Sequence, residues 1–125
     1  MHRADAILVV DDNPDHADLL ATLLRVKGFE VVAVYGPGQG LAAPQARRFA
    51  VVLTDYHMPI KTGCAMLAEA KAAGLLEHTE VMVVTSAPLD VVGWRAVSKL
   101  IDVDILIAEI KELLAALTRR RGVTT

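Results

Sequence analysis

The sequence predicts an α/β sandwich, in which helices cover both faces of a mainly parallel β-sheet. Short runs of β-branched and other apolar residues alternate along the chain with helix-like stretches. The composition is 54% apolar but only 4% aromatic, with a mean hydropathy of +0.41. Such a composition suits strands that are buried on both faces between helix layers. At 125 residues, the chain has room for one domain of ordinary size.

The first three predicted elements are a strand, a helix and a second strand. Ala6–Val10 is a continuous apolar run of strand length. Asn13 is a helix N-cap residue, Pro14 suits the first helical position, and Gly28 marks the end of that helix. Phe29–Val34 then predicts the second strand.

In the middle of the chain, one helix is only weakly predicted, and the elements after it are predicted more clearly. Several Gly and Pro residues follow the second strand, so only a short or kinked helix is expected, at Leu41–Arg48. Ala50–Thr54 predicts the third strand, Gly63–Ala73 an alanine-rich helix, and Glu80–Thr85 the fourth strand. A fifth strand is expected at about Gly93–Ser98.

The last helix shows the clearest periodicity. Its apolar residues recur at the spacing of one helix face: Leu106, Ile110, Leu113, Leu114 and Leu117. Asp102 and Asp104 stand at its start, where acidic residues are favoured. We therefore expect a domain over residues 1–118 and a basic tail over 119–125, in which Arg119–Arg121 suit a helix C-terminus.

Composition and charge exclude several classes of protein. The apolar runs are far shorter than the ~20 residues needed to span a bilayer, and the first residues lack the apolar region of a signal peptide. The single cysteine, Cys64, rules out an internal disulfide and agrees with a reducing compartment. A net charge of −2 and a pI near 6.0 do not suggest a surface for nucleic acid. We expect a cytoplasmic protein that contacts neither membrane nor nucleic acid.

Acidic, hydroxyl and amino side chains stand where the predicted strands end. Asp11 and Asp12 follow the first strand, and Asp55 follows the third. Thr85 closes the fourth strand, and Lys99 precedes the last helix. Because the carboxyl ends of parallel strands share one edge of the sheet, we expect these side chains to converge. Three neighbouring carboxylates need a bound cation or a shifted pKa, and hard oxygen ligands favour Mg²⁺. A carboxylate beside Mg²⁺ can attack a phosphoryl group and form an aspartyl-phosphate.

Four segments of the chain follow one another as they do in a known family. They are Val9–Pro14 (VVDDNP), Asp55–Pro59 (DYHMP) with Gly63, Thr85 at a strand end, and Lys99 followed by Ile101 and Asp102. In these residues the chain resembles the receiver domain of two-component response regulators, and the match covers nearly the whole chain. The resemblance implies a flavodoxin-like three-layer sandwich with a five-stranded parallel sheet in the order 2-1-3-4-5.

The resemblance also implies a role for each conspicuous side chain. Asp55 would be the phosphoacceptor, Thr85 the switch hydroxyl and Lys99 the amine that pairs with the phosphoryl group. The donor would be a phosphohistidine on a sensor histidine kinase or a histidine phosphotransfer protein. Since the sequence contains no output domain, we expect a stand-alone regulator that contacts a downstream protein. It would catalyse its own phosphorylation and slow dephosphorylation, and would turn over no separate small-molecule substrate.

The metal site implied by the resemblance is a magnesium site. Asp11 and Asp12 would hold Mg²⁺ together with Asp55, and the backbone carbonyl of His57 would add a ligand. Zinc ligation by histidine side chains is disfavoured, because the four histidines show no metal-ligand spacing. The His57 side chain is by default an exposed loop residue.

The chain departs from the family pattern between the fourth strand and the last helix. Only 13 residues (86–98) separate Thr85 from Lys99, so we expect the family's fourth helix to be absent or reduced to about one turn. Ala96 stands where the family has a switch aromatic. Leu100 stands where the family has a proline after a cis bond. A cis bond before leucine would cost ~3 kcal/mol, so we expect a trans bond or a rebuilt loop.

Simpler interpretations exist for each residue taken alone. Asp12 and Asn13 can cap the first helix. Asp55 can be a turn residue, and Lys99 can be a solvated surface lysine. Their joint placement at the strand ends favours the phosphoryl-transfer interpretation over these separate ones.

Two alternative functions follow from the same residues. A degenerate receiver could act as a binding module that does not depend on phosphorylation. A phosphohydrolase of the haloacid dehalogenase type also uses an aspartate nucleophile, but it needs a second acid two positions later, where this chain has His57. The first alternative stays open, and the second is disfavoured.

Overall fold

Five strands form one parallel sheet in the computed structural model, which describes residues 6–120. The strands are β1 (Ile7–Val10), β2 (Val31–Val34), β3 (Val51–Asp55), β4 (Glu80–Thr85) and β5 (Ala96–Ser98). Their order is β2-β1-β3-β4-β5, and every neighbouring pair is parallel. The predicted fold class and strand order are therefore confirmed.

Four α-helices cover the two faces of this sheet. They are α1 (Pro14–Val26), α2 (Pro37–Ala46), α3 (Gly63–Ala72) and α4 (Val103–Arg120). One apolar core lies between the sheet and the pair α1 and α4, and a second lies between the sheet and the pair α2 and α3. Burial on both faces explains why the strands are continuous apolar runs rather than alternating ones.

The two ends of α1 follow the residues that predicted them. The Asn13 side chain accepts hydrogen bonds from the backbone N–H groups of Asp15 and His16, at 3.0 and 3.3 Å. Pro14 is the first helical residue. Proline lacks a backbone N–H, which costs nothing there because an N–H at this position has no partner within the helix. Gly28, at φ +98°, follows the helix and turns the chain toward β2.

The helix α2 begins earlier than the sequence predicted. It runs over Pro37–Ala46 rather than Leu41–Arg48, and it includes Pro44 in its interior. Packing accounts for the difference, because buried Gly40 lets this helix lie close to β1. A Cβ at Gly40 would stand 2.9 Å from Val10 Cγ1. Tertiary contact thus stabilises a segment whose own helix propensity is low.

The strands β2 and β5 are shorter than predicted. β2 starts at Val31 rather than Phe29, because the Phe29 N–H closes the turn after α1 by donating to the Leu24 carbonyl, at 3.2 Å. β5 starts at Ala96 rather than Gly93, which has φ +89°, a conformation outside the strand region. Sequence patterns locate such strands but not their first residues.

The segment between β4 and β5 contains one 3₁₀ turn, Pro88–Asp90. Leu89 and Val92 are almost fully exposed there, whereas Val91 and Trp94 pack partly against the sheet on the side of α2 and α3. The short segment thus covers this part of the sheet incompletely.

The C-terminal helix continues beyond the expected end of the domain at residue 118. α4 runs to Arg120, so Arg119 and Arg120 lie in its last turn, as the charge pattern indicated. The rest of the predicted basic tail, residues 121–125, lies outside the described residues, as do residues 1–5. None of the helices within residues 6–120 combines the length and apolar character needed to cross a membrane.

Candidate functional site at the carboxyl edge of the sheet

Three carboxylates meet where β1 and β3 end. Asp11 and Asp12 directly follow β1, and Asp55 is the last residue of β3. These strands are neighbours, and one carboxylate oxygen from each residue lies within 4.8 Å of the others. Asp11 and Asp55 are buried, while Asp12 is exposed. The parallel sheet therefore brings together the three acids that the sequence placed at its strand ends.

The environment of Asp11 disfavours its charged form. Burial raises the pKa of its carboxyl group, and the neighbouring charge of Asp55 raises it further. The largest opposing contribution is a backbone hydrogen bond, since the Asn13 N–H donates to Asp11 Oδ1 at 3.0 Å, and Lys99 and His16 also lower the pKa of Asp11. His16 Nδ1 lies 4.0 Å from Asp11 Oδ2. A bound cation would relieve the remaining cost of keeping these carboxylates charged.

The donor set of this cluster fits Mg²⁺. All three side chains offer oxygen atoms, which is the ligand type that hard divalent cations prefer, and exposed Asp12 leaves the cluster open to water. Cys64 is the only cysteine in the chain, and it lies on α3 rather than among these acids. The soft ligands typical of structural zinc are therefore lacking from the described cluster.

Lys99 reaches the same cluster from the other side of β3. Its ammonium Nζ lies 2.9 Å from Asp55 Oδ1. The backbone holds it there, because the Lys99 N–H donates to the Thr85 carbonyl at 2.9 Å, directly after β5. Residues 6–120 contain no cis peptide bond, so the bond before Leu100 is trans, as expected. Leu100, which stands where the family has a proline, thus does not prevent Lys99 from pairing with Asp55.

Thr85 ends β4 beside β3 and is almost completely buried. Its Oγ1 accepts a hydrogen bond from the Ala87 N–H at 3.2 Å. This bond uses a lone pair of the hydroxyl oxygen and leaves the O–H proton able to donate. The hydroxyl is therefore oriented by the backbone and still has its donor capacity.

The loop between β3 and α3 is held tightly against Asp55. The Tyr56 N–H donates to Asp55 Oδ1 at 2.9 Å, and the Gly63 N–H donates to the Tyr56 carbonyl at 2.7 Å. A Cβ on Gly63 would overlap the carbonyl oxygen of Asp55, so only glycine fits there. His57 is exposed, and its ring meets the Tyr56 ring edge-on at 4.7 Å between centroids. The metal-binding role of the His57 carbonyl stays a prediction.

Two contributors to the site were not predicted from the sequence. Thr54 is buried in β3, and its hydroxyl donates to the carbonyl of Asp55 at 2.9 Å. A hydroxyl residue inside an apolar strand is the only sequence signal for this role. His16 lies near Asp11 because the first turn of α1 begins beside the end of β1. A histidine five residues after an acid is too common to indicate that contact.

Fold and site together define a class of protein: a parallel α/β domain whose carboxyl edge carries a cluster of three acids and a paired lysine. The sequence matches the family described as the response regulator receiver domain over residues 7–111. This match covers most of the chain, and the chain belongs to that family.

Related proteins extend this assignment. A protein-glutamate methylesterase/protein-glutamine glutaminase 2 from Anaeromyxobacter dehalogenans is 38% identical over 98 residues, which are 77% of this chain and 28% of that protein. The chain thus spans less than a third of the length of this curated relative. The signal receiver domain of a histidine kinase from Syntrophus aciditrophicus has a TM-score of 0.82 at 26% identity and covers 98% of each chain. The response regulator protein TrrA from Thermotoga maritima, in complex with Mg²⁺–BeF, has a TM-score of 0.78 at 25% identity and covers 88% of this chain and 99% of that one.

Proposed function

We propose that this chain accepts a phosphoryl group on Asp55 and signals through the resulting aspartyl-phosphate. The observation that carries the proposal is the position of Asp55 between two opposite charges. On one side lie the carboxylates of Asp11 and Asp12, within 4.8 Å. On the other side lies the ammonium of Lys99, at 2.9 Å. In this position, the Lys99 ammonium that now pairs with Asp55 can pair with a phosphoryl oxygen after transfer. The neighbouring carboxylates of Asp11 and Asp12 are suited to bind a metal ion.

The contacts of Asp55 indicate which of its oxygens reacts. Oδ1 accepts the Tyr56 N–H and pairs with Lys99, so Oδ2 keeps the lone pairs for attack. Oδ2 forms the new bond to phosphorus while the bond from phosphorus to the donor nitrogen breaks, and the nitrogen keeps that electron pair. Lys99 then neutralises a phosphoryl oxygen, and the Thr85 hydroxyl donates to another.

Asp11 and Asp12 would hold Mg²⁺ together with Asp55. When bound, the ion supplies charge neutralisation for the phosphoryl oxygens. The TrrA structure supports this part of the proposal, since that relative is described in complex with Mg²⁺–BeF. We propose the carbonyl of His57 as a further ligand, on the resemblance alone.

The proposed partners follow from the chemistry of the acceptor. A carboxylate takes a phosphoryl group readily from a phosphohistidine, so the donor is a sensor histidine kinase or a histidine phosphotransfer protein. We infer a cytoplasmic regulator that acts on a downstream protein by contact. It catalyses its own phosphorylation and the slow hydrolysis of the resulting aspartyl-phosphate, and it turns over no separate small-molecule substrate.

Mass spectrometry after incubation with acetyl phosphate and Mg²⁺ tests the proposal. The wild-type chain is expected to gain a labile adduct of about 80 Da, the mass of one phosphoryl group. Asp55→Asn is the matched control, since the amide keeps the shape and removes the nucleophile. If the wild type gains no adduct, or if Asp55→Asn gains it equally, Asp55 is not the phosphoacceptor.

A second candidate function is a binding module that works without phosphorylation. It is favoured by the region from β4 to α4, where we interpret the turn Pro88–Asp90 as a shortened form of the family's fourth helix. Ala96 and Leu100 also replace residues that the family uses there. Pull-down of partners with and without beryllofluoride separates the two functions. The first predicts partners captured only in one state, and the second predicts the same partners in both.

A further inference from the structure

A cavity of about 610 Å³ opens at the amino ends of β4 and β5, the opposite edge of the sheet from Asp55. Its walls come from the end of α3, the following loop, the first residues of β4, the approach to β5 and α4. Its apolar surface is supplied by Leu76, Val81 and Trp94, which are partly buried. The volume falls in the range of small-molecule sites, ~300–1,000 Å³.

Two of the three cations that line this cavity are already neutralised. The Arg120 guanidinium donates to Glu80 Oε2 and to the Glu77 carbonyl, each at 2.7 Å. Arg95 pairs with the Glu109 carboxylate. Both guanidinium groups therefore already have an acidic partner at the cavity wall.

Lys71 is the third cation, and it differs from the arginines. Its Nζ lies 5.9 Å from the centroid of the Trp94 ring. Within residues 6–120 no carboxylate lies within salt-bridge distance of it. An ammonium that lies over an aromatic face keeps several N–H donors free for a ligand. Lys71 is therefore the group in this cavity that is ready to bind an anion.

We propose that this cavity binds a small organic anion with an aromatic or apolar body. The body would pack on Trp94, Leu76 and Val81, and the anionic group would pair with Lys71. The Glu77 carboxylate also lines the cavity and is exposed. It opposes an anion, so removal of its charge strengthens binding. This site is separate from the phosphoacceptor and does not depend on the proposed function.

The probe for the test is 8-anilinonaphthalene-1-sulfonate, an aromatic monoanion. Trp94 is the only tryptophan of the chain and lines this cavity, so its emission responds to a ligand that binds there. We expect saturable one-to-one binding that changes Trp94 emission. Lys71→Gln is expected to weaken binding by about threefold to tenfold, the effect of one partly exposed charge. Lys111→Gln, which removes an exposed charge on α4 outside the cavity lining, leaves the affinity unchanged.

Two further measurements make the result decisive. Glu77→Gln is expected to strengthen binding of the sulfonate by about twofold to fivefold, the opposite direction to Lys71→Gln. The neutral analogue N-phenyl-1-naphthylamine has the same apolar body, and its affinity is expected to be equal in wild type and Lys71→Gln. The proposal is overturned if binding does not saturate at one equivalent, or if Lys71→Gln and Lys111→Gln have equal effects on the sulfonate.

Discussion

The two ends of β4 differ in how completely their side chains are held. At the carboxyl end, Asp55 and Thr85 are buried, and backbone N–H groups bind both of their side chains. At the amino end, β4 borders a cavity of about 610 Å³ that is also lined by residues of α3 and α4, and the strand β5 that follows has three residues. Hydrogen bonds thus hold side-chain atoms in place at the carboxyl end of β4, whereas the amino end borders a cavity.

This difference matches what the proposed chemistry requires of each end. Phosphoryl transfer needs a nucleophile, a donor hydroxyl and a cation at set positions, because small displacements lower the rate strongly. Apart from the Ala87 N–H, which orients the Thr85 hydroxyl, the proposed chemistry uses no group of the segment between β4 and β5. The same sheet can therefore support a fixed site at one edge and a variable surface at the other. Substitutions in both regions test this difference.

The Gly63→Ala variant is expected to give the largest effect, because its new Cβ would overlap the carbonyl oxygen of Asp55. We expect a loss of about 3 kcal/mol in the free energy of unfolding, together with slower phosphorylation. Urea denaturation measures the first effect and acetyl phosphate labelling the second. Gly38→Ala is the control, since a Cβ at Gly38 meets no atom within 4 Å and the variant should lose no stability. Equal losses in the two variants would contradict the close packing at Asp55.

The Lys99→Gln variant is expected to slow phosphorylation by about 10²-fold, since it removes a preorganised cation from the reacting carboxylate. The measurement is the rate of adduct formation at saturating Mg²⁺. Lys61→Gln is the matched control, because Lys61 pairs with Glu69 rather than with Asp55. Its rate should stay within about twofold of wild type. A similar rate for both variants would show that the contact between Lys99 and Asp55 plays no part in the reaction.

The Asp11→Asn variant is expected to raise stability in the absence of Mg²⁺, by about 3 °C in Tm. The pKa of Asp11 is raised in the folded state by burial and by Asp55, so its contribution to stability is present below its unfolded pKa and is lost as pH rises through the folded pKa. Above the folded pKa the charged carboxyl group therefore destabilises the fold, and the neutral amide does not.

Thermal unfolding in the presence of a chelator measures this effect. Asp12→Asn is the control, since Asp12 is exposed and should give no comparable rise in Tm. Both variants should bind Mg²⁺ more weakly, as measured by calorimetry. A lower Tm for Asp11→Asn without metal would show that its charge is not a source of instability.

The smallest effect is expected for Leu89→Ala, in the open segment between β4 and β5. Leu89 is 97% exposed, so the change in unfolding free energy should stay within about 0.5 kcal/mol. Leu53→Ala, in the buried centre of β3, should cost about 3 kcal/mol for the same chemical change. If Leu89→Ala proved as costly as Leu53→Ala, the segment would be packed rather than open.

The strands and the acidic cluster could be predicted for a common physical reason. Strands buried on both faces are short apolar runs, and such runs are visible in a single sequence. Once the sheet is parallel, the residues after each run must share one edge, which places Asp11, Asp12 and Asp55 together. Their proximity therefore follows from the topology and not from any local motif.

Other features depend on contacts that no local pattern encodes. The start of α2 at Pro37 rests on the close approach of Gly40 to Val10. The first residue of β5 depends on where the preceding turn leaves the sheet. The neighbours of the site, Thr54 and His16, are polar residues whose positions become meaningful only when the strands have paired.

The loop from Asp55 to Gly63 is built so that its length can change at the tip. Its two ends are tied to each other beside the site, through the N–H of Gly63 and the carbonyl of Tyr56. Its tip, Ile60, is fully exposed and has φ 75°, in a tight turn that the Lys61 N–H closes by donating to the Pro59 carbonyl at 2.7 Å. Because the ends are joined independently of the tip, residues inserted at Ile60 lengthen the loop into solvent while the distances around Asp55 stay the same. The tip is thus the place where this chain can accept a peptide tag close to Asp55.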